Sequence, residues 1–460
     1  MYQIDFTVPK KLHFIGIGGI SMSGLAEILL DEGFRVSGSD AKSSELTEHL
    51  EFMGAQVAIG QRAENIPEDT EAVIYTAAIH PDNPEFKEAK RRGIPMLSRA
   101  ELLGQMMTNY RQALAVSGTH GKTTTTSMLA EIFMAAGADP TVSVGGILNS
   151  IGGNIRVGGS DLFVLEACEY TNSFLAFHPT MEIILNIEAD HLDFFKDIDD
   201  IRRSFRLFAK KLPANGALII NSGIRDYEAI TEGLPCKVYT FGFDPQKSRV
   251  YAENIAYDEY ARPSFDLVID EERCGRITLG VTGEHNVLNA LAAVTAAVLE
   301  GVDTEHIAAG LKAYTGTKRR FEKKGEKNGF VIIDDYAHHP QEIEATLKAA
   351  KNYPHKKLWC LFQPHTYTRT KALMDDFAKS LSMADHVIMA DIYPARETDN
   401  LGISSADLAE KIRALGTPAD YISGFDEIKK FILKNCMHGD LLITMGAGDI
   451  VKVGEMLLSE

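Results

Sequence analysis

The chain has few cysteines, a single tryptophan and no excess of positive charge, and each shortage narrows what it can be. Cys168, Cys236, Cys274, Cys360 and Cys436 are odd in number and widely spaced, with no C-x-x-C pair. That pattern suggests neither a disulfide framework nor a thiolate zinc site, and it fits a reducing, cytoplasmic compartment. No apolar run approaches the roughly 18 residues of a transmembrane helix. The N-terminus MYQIDFTVPKKLHFIGIGG lacks an apolar stretch with a cleavage site behind it. Lys and Arg number 47 against 64 Asp and Glu, a formal net charge of −17. This argues against a non-specific grip on nucleic acid or an anionic membrane, though a local basic pocket could still take anionic small molecules. Internal repeats and low-complexity stretches are also missing.

What the 460 residues do contain is ordinary material for several buried cores, with 45% hydrophobic and 24% charged residues. Short apolar runs alternate with helical patterns almost throughout, which predicts an α/β fold with mainly parallel sheets. Three domains are expected. Residues 1–108 form a Rossmann-like unit, with strands at Leu12–Ile15, Arg35–Ser37, Ala72–Thr76 and Pro95–Leu97 and a helix over 21–31. Residues 109–316 form a P-loop-type unit, with strands at Ala113–Ser117, Leu162–Leu165, Glu182–Ile187 and Ala217–Ile220, a β-rich stretch over 237–281 and helices over 286–300 and 304–313. Residues 317–460 form a second Rossmann-like unit, with strands at Phe330–Asp334, Lys357–Phe362, His386–Ala390 and Leu441–Met445. The segment 315–320, with Gly316, reads as a linker and hinge.

The strongest motif is Ser117-Gly118-Thr119-His120-Gly121-Lys122-Thr123-Thr124-Thr125, which follows a strand and opens a helix. Glycines let backbone N–H groups close around phosphate oxygens, and the helix N-terminus adds its positive dipole end. Lys122 supplies a point charge to the outer phosphates, and the Thr123 hydroxyl can sit on a magnesium ion. The general G-x-x-x-x-G-K-[ST] pattern would place glycine at 116, where this chain has Val116. An earlier turn, Gly16-Ile17-Gly18-Gly19-Ile20-Ser21, resembles a dinucleotide fingerprint, and Asp40 follows Gly18 by 22 residues. Ser21 stands where the third glycine belongs. With a separate ATP loop downstream, the diphosphate of a UDP-sugar suits this turn better than NAD. Glu166 and Glu169 follow one strand, and Asn186-Ile187-Glu188-Ala189-Asp190-His191-Leu192-Asp193 follows the next. Strand ends of an open parallel sheet gather where ligands bind, so these groups point to magnesium beside ATP, with His191 a softer ligand than that ion usually takes.

SGTHGKTTT, the Glu-Ala-x-Glu segment, NIEADHLD, GEHNVLNALAA, KRRFE, DDYAHHPQEI, FQPHTYTRT and MGAGD occur in an order that resembles the Mur ligases over nearly the whole chain. The resemblance implies an ATP-dependent ligase that joins L-alanine to UDP-N-acetylmuramate in bacterial peptidoglycan synthesis. Its N-terminal domain would bind the sugar nucleotide through Gly18, Gly19, Ile20, Ser39, Asp40, His80 and Arg99. Its central domain would bind ATP through Gly118, Thr119, His120, Gly121, Lys122, Thr123 and Thr124, with Asn286 and Asn289 near the adenine. Arg320, Asp335 and His338 would approach the nucleotide and reacting centre from the C-terminal domain, which also helps bind the amino acid. Thr123, Glu166 and His191 would hold Mg2+. Two departures stand out. The family's Ala-Asp-Glu-Ser-Asp after the metal glutamate is here Ala167-Cys168-Glu169-Tyr170-Thr171, and Ser21 replaces a glycine. The carbamoylated lysine of later ligases has no counterpart among Arg202, Arg203 and Arg206, and Arg206 or a neighbour would supply charge instead.

The expected chemistry is attack of the lactyl carboxylate on the γ-phosphate, then of the alanine amine on the acyl-phosphate. Lys122, Arg320 and magnesium would offset the repulsion between anions. His338 or His339 could take the amine proton or simply hold a loop. A ligase adding a peptide to the same sugar nucleotide, an NAD-dependent oxidoreductase and a P-loop ATPase switch are the competing readings.

Overall fold

In the computed structural model, residues 2–76, 79–192, 194–395 and 397–459 are described, and Asp193 of the NIEADHLD motif lies outside them. The chain packs into two compact units. One comprises Met1–Glu188, Asp197–Arg249 and Ala292–Gly310, and the other Ala189–Lys196, Val250–Leu291 and Leu311–Glu460.

The first unit opens with β1 (Lys11–Ile15), β2 (Arg35–Asp40), β3 (Gln56–Ile59), β4 (Ala72–Tyr75) and β5 (Met96–Ser98). They form a sheet of order β3-β2-β1-β4-β5 in which every neighbouring pair is parallel. The first turn runs from β1 into the helix Ile20–Asp31. Strand β2 runs beyond the predicted Ser37 because Gly38 and Ser39 still pair with Phe14 and Ile15, which carries Asp40 to the strand end beside that turn. The same unit then adds β6 (Gln112–Ser117), β7 (Thr141–Leu148), β8 (Gly153–Arg156), β9 (Leu162–Ala167), β10 (Met181–Ile184), β11 (Ala217–Asn221) and β12 (Lys237–Gly242), in the order β12-β11-β10-β6-β9-β7-β8. Its central strands are apolar almost without interruption, as a parallel sheet covered on both faces requires. Strand β7 escapes a pattern search because Gly145 and Gly146 interrupt its apolar alternation. Strand β10 stops at Ile184, short of the predicted Ile187, because the chain beyond it turns its hydrogen bonds on the phosphate loop.

The second unit contains the antiparallel β13 (Val250–Tyr257), β14 (Pro263–Ile269) and β15 (Glu272–Thr278). It also contains β16 (Glu322–Lys327), β17 (Phe330–Asp335), β18 (Leu358–Phe362), β19 (His386–Met389), β20 (Ala419–Tyr421) and β21 (Leu441–Met445), ordered β16-β17-β21-β18-β19-β20 and parallel except at the β16 edge. Successive residues of these strands feed opposite cores. Ile333 and Phe362 pack with Leu347 and Phe377 on one face, Ile332 and Leu361 with Ile432 and Val453 on the other. Asp335, Gln363 and Gly446 therefore cluster at the carboxyl ends of neighbouring strands, where open α/β sheets bind ligands.

Candidate active site

In the first unit, β6 ends at Ser117 and the helix Lys122–Ala135 begins four residues after Gly118. The Lys122 ammonium donates to the carbonyls of Gly118 and Thr119 and to Glu169 Oε2 at 3.2 Å. Burial alone would pull its pKa down. The charge of Glu169, with Cys168 and Glu166 behind it, outweighs burial and holds the amine above its ordinary value, so Lys122 is a cation at any physiological pH. Thr119, Thr123 and Thr124 are buried at the same turn. His120 stands 3.1 Å from Glu188 through Nε2 and Oε2.

Glu166 is the penultimate residue of β9 and has its carboxylate on the Gly145 N–H. A Cβ at Gly145 would lie 2.5 Å from that carboxylate, so the glycine makes the close approach possible. Arg99, at the start of the helix Arg99–Met107, donates from Nη1 to Ser21 Oγ at 2.8 Å. Burial lowers its pKa against the opposing pull of Cys168 and Glu166. The serine that breaks the glycine fingerprint is thus the acceptor for Arg99. In the first turn, Gly16 and Ile17 donate their N–H groups to the Ser39 carbonyl, and Gly18 donates to Asp40 Oδ2 at 2.9 Å. A Cβ at Gly18 would press on Asp40 and Thr47. Gly19, Ile20 and His80 are exposed. Ser39 departs from its expected part as a substrate contact: it is fully buried, and its hydroxyl donates to Glu85 at 2.7 Å because Glu85, itself buried, gathers His13, Ser39, Asn65 and the Arg62 N–H.

The arginines of the helix Ile198–Ala209 all bond to nearby groups of the same unit. Arg202 donates to the Asp226 carbonyl, Arg206 to those of Ala229 and Glu232, and Arg203 to Asp200. The bonds from Arg202 and Arg206 tie down the neighbouring backbone.

The second unit gathers the other predicted residues. Asn286 donates to the Thr282 carbonyl and accepts from Asn289 at 2.9 Å, a buried amide pair at the start of the helix His285–Leu299. Asp335 ends β17 and accepts from the N–H groups of Phe321 and Ala337. Burial raises its pKa to about 6 against the pull of Arg320. Arg320 lies 3.8 Å from Glu342 and over the Tyr336 ring. Its neighbour Arg319, unremarked in the sequence, donates to Asp334 and to the carbonyls of Gly446 and Gly448, fixing the KRRFE segment to the MGAGD loop. His338 is paired through Nδ1 with the Tyr336 carbonyl, and burial lowers its pKa to about 4. His339 Nε2 lies 3.3 Å from the Ala189 carbonyl. His191 belongs to this unit, whereas Thr123 and Glu166 belong to the first. Two side chains of the quoted motifs have no site role assigned from the sequence. Asp190 accepts from His191 N–H and forms a 3.2 Å ion pair with Arg369. Burial opposes its ionisation, but Arg369, His191 and His339 hold its carboxyl well below the usual range. His365, neutralised by burial with a pKa near 4, stands 3.3 Å from Arg369.

Comparison with known proteins gives the family. The Mur ligase family, catalytic domain, matches residues 11–111, the Mur ligase middle domain 116–297, and the Mur ligase, glutamate ligase domain 319–448. The chain is 63% identical over 458 residues to a UDP-N-acetylmuramate–L-alanine ligase of Lachnospira eligens, and 58% identical over 460 residues to one of Agathobacter rectalis, in both cases covering all of both chains. The crystal structure of UDP-N-acetylmuramate-alanine ligase from Thermotoga maritima matches with a TM-score of 0.81 at 29% identity, and a murein peptide ligase from Psychrobacter arcticus with 0.71 at 26%, each over 98% of both chains. With three successive domain matches and full-length relatives at this identity, the chain belongs to the Mur ligase family and has its three-domain α/β fold.

Proposed function

We propose that this enzyme joins L-alanine to the lactyl carboxylate of UDP-N-acetylmuramate at the expense of ATP, through an acyl-phosphate, in peptidoglycan precursor synthesis. The observation that carries the reading is Lys122: a partly buried, charged ammonium at the mouth of a strand–loop–helix turn, with Glu166 and Glu169 at the adjoining strand end. The printed names of full-length relatives supply the substrates. The free state of all five cysteines suits a cytoplasmic location, and no described helix is long and apolar enough to cross a membrane.

A carboxylate oxygen of the sugar nucleotide attacks the γ-phosphorus, and the bond to ADP breaks. The amine nitrogen then attacks the acyl carbon, a C–N bond forms, and phosphate departs with the acyl C–O electrons. Lys122 neutralises the outer phosphates, and Arg320 is assigned to the transferred phosphoryl group. The hard oxygen donors of Thr123 and Glu166 suit Mg2+, and His191 is assigned to a second magnesium ion. When bound, magnesium would screen the phosphate charge. His338 is neutral at pH 7, and its Nε2 is assigned the amine proton, which becomes acidic only as the C–N bond forms. Arg320 and Asp335 are assigned to the nucleotide with Asn286 and Asn289, and Gly18, Gly19, Ile20, Asp40, His80 and Arg99 to the sugar nucleotide. Phosphate release and product mass, measured with UDP-N-acetylmuramate, ATP and a panel of amino acids and peptides, test the reading. Stimulation by L-alanine with a product one alanyl residue heavier is expected. Phosphate release that no amine stimulates would sink it.

A further inference from the structure

The segment after β10 does something its sequence motif does not advertise. The Asn186 carboxamide grips both backbone groups of one phosphate-loop residue. Its Oδ1 accepts the His120 N–H at 2.8 Å, and its Nδ2 donates to the His120 carbonyl at 3.0 Å. Its own carbonyl accepts the Thr119 N–H at 3.2 Å. Two residues on, the Glu188 N–H donates to Thr119 Oγ1 at 3.0 Å. One residue back, the Leu185 N–H donates to the Ser117 carbonyl, while Asn221 Nδ2 holds the Leu185 carbonyl at 2.9 Å. The backbone of Gly118 passes so close to Leu185 and Asn186 that a Cβ there would stand 2.9 Å from one and 3.2 Å from the other. Residues 185–188 therefore form a mould against which the loop's curvature is set.

We infer that Asn186 is a positioning residue for the nucleotide's phosphates, fixing the loop so that its N–H groups converge on them. The argument is one of satisfied valence. A phosphate loop works only if its amide donors point outward into the ligand, so its carbonyls and remaining donors need partners elsewhere. A carboxamide carries an acceptor and an N–H donor side by side, so without charge it can receive the N–H and bond the carbonyl of the same residue. An aspartate would lose the donor and add a negative charge beside a triphosphate. The inference rests on residues 118–123 being the ATP phosphate loop.

The test is competition binding on the full-length protein with Mg2+, comparing a non-hydrolysable ATP analogue with AMP. Asn186→Ala is expected to weaken the analogue about tenfold or more, the worth of two net hydrogen bonds, and AMP by less than about twofold, because only the outer phosphates lean on the loop. Thr119→Val removes one bond of the mould and should give a smaller loss in the same sense, with Thr119→Ser restoring it. That pair also carries the test if Asn186→Ala does not fold. Equal losses for analogue and AMP, or no loss in either set of variants, overturn the inference. Lys122→Ala separates the two failures: if it binds the analogue normally, the loop assignment is wrong, whereas if it loses the analogue while the Asn186 and Thr119 variants keep it, only the positioning role falls.

Discussion

Glu182 gives the sharpest physical prediction in the structure. It lies in β10, fully buried, one strand from the phosphate loop. Ser117 Oγ lies 3.3 Å from its Oε1, and its Oε2 has no hydrogen-bond partner among the described residues. Burial drives its pKa well above the ordinary glutamate value, and the Ser117 contact only partly opposes this. Below about pH 4.3 folded and unfolded chains both carry the proton, and the group costs the fold nothing on this account. Above that value the unfolded chain releases the proton and the folded chain keeps it, so stability falls by about 1.4 kcal/mol per pH unit until the folded carboxyl itself ionises. Glu182→Gln keeps the shape and removes the proton from the balance. Its stability relative to the parent should rise as pH climbs above the ordinary glutamate range, by about 1.4 kcal/mol per pH unit for as long as the folded carboxyl keeps its proton, read from urea unfolding of both proteins at matched pH. Ser117 keeps its shorter bond to the Ile183 carbonyl in either protein. Parallel stability curves would show that Glu182 is ionised in the fold and that burial does not govern it.

Three further outcomes follow from the same geometry. Lys122→Ala should lower kcat about 100-fold or more in the phosphate-release assay, and parent-like turnover would remove the lysine from the phosphate site. Gly145→Ala sets a methyl 2.5 Å from the Glu166 carboxylate, so that side chain must move; the expected result is about a tenfold fall in kcat with a raised Mg2+ requirement, and an unchanged Mg2+ titration counts against Glu166 as a metal ligand. Asp190→Asn breaks a buried ion pair with Arg369 and should destabilise the fold by about 3 kcal/mol at neutral pH. Because the Asp190 pKa is depressed, that contribution is present above about pH 4 and is lost as pH falls toward the folded value, so unfolding curves of parent and variant should converge in acid.

Much of the fold was legible because parallel strands covered on both faces must be apolar nearly throughout, and runs such as Leu441–Met445 and Ala217–Asn221 announce themselves. Strands without that burial did not. β16 is the charged edge EKKGEK, β3 is half exposed, and β7 contains two glycines in succession, so tertiary pairing makes these strands and local pattern does not. The phosphate loop could be read residue by residue because its chemistry is packed into one continuous segment. The charge expected from Arg206 could not be checked in that way, since its carbonyl partners lie 23 and 26 residues away across a helix packing.

The supporting residues share that difficulty, and the reason is general to sites built on strand ends. Arg369 and Asp190 are 179 residues apart, Asn186 and His120 are 66 apart, and Arg319 and Gly446 are 127 apart. Sequence separations of this size hide each pairing, because neither partner alone points to the other. What makes them functional is burial, because a buried carboxylate, guanidinium or carboxamide has to find a partner or lose several kcal/mol. Ser21 follows the same logic. Read along the chain it is a defective fingerprint, but once Arg99 is seen to donate to its hydroxyl it becomes the link between the first turn and the helix that carries Arg99. A departure from a motif is therefore informative only together with the contact that fills the position, and a motif search compares residues along the chain without ever seeing that contact.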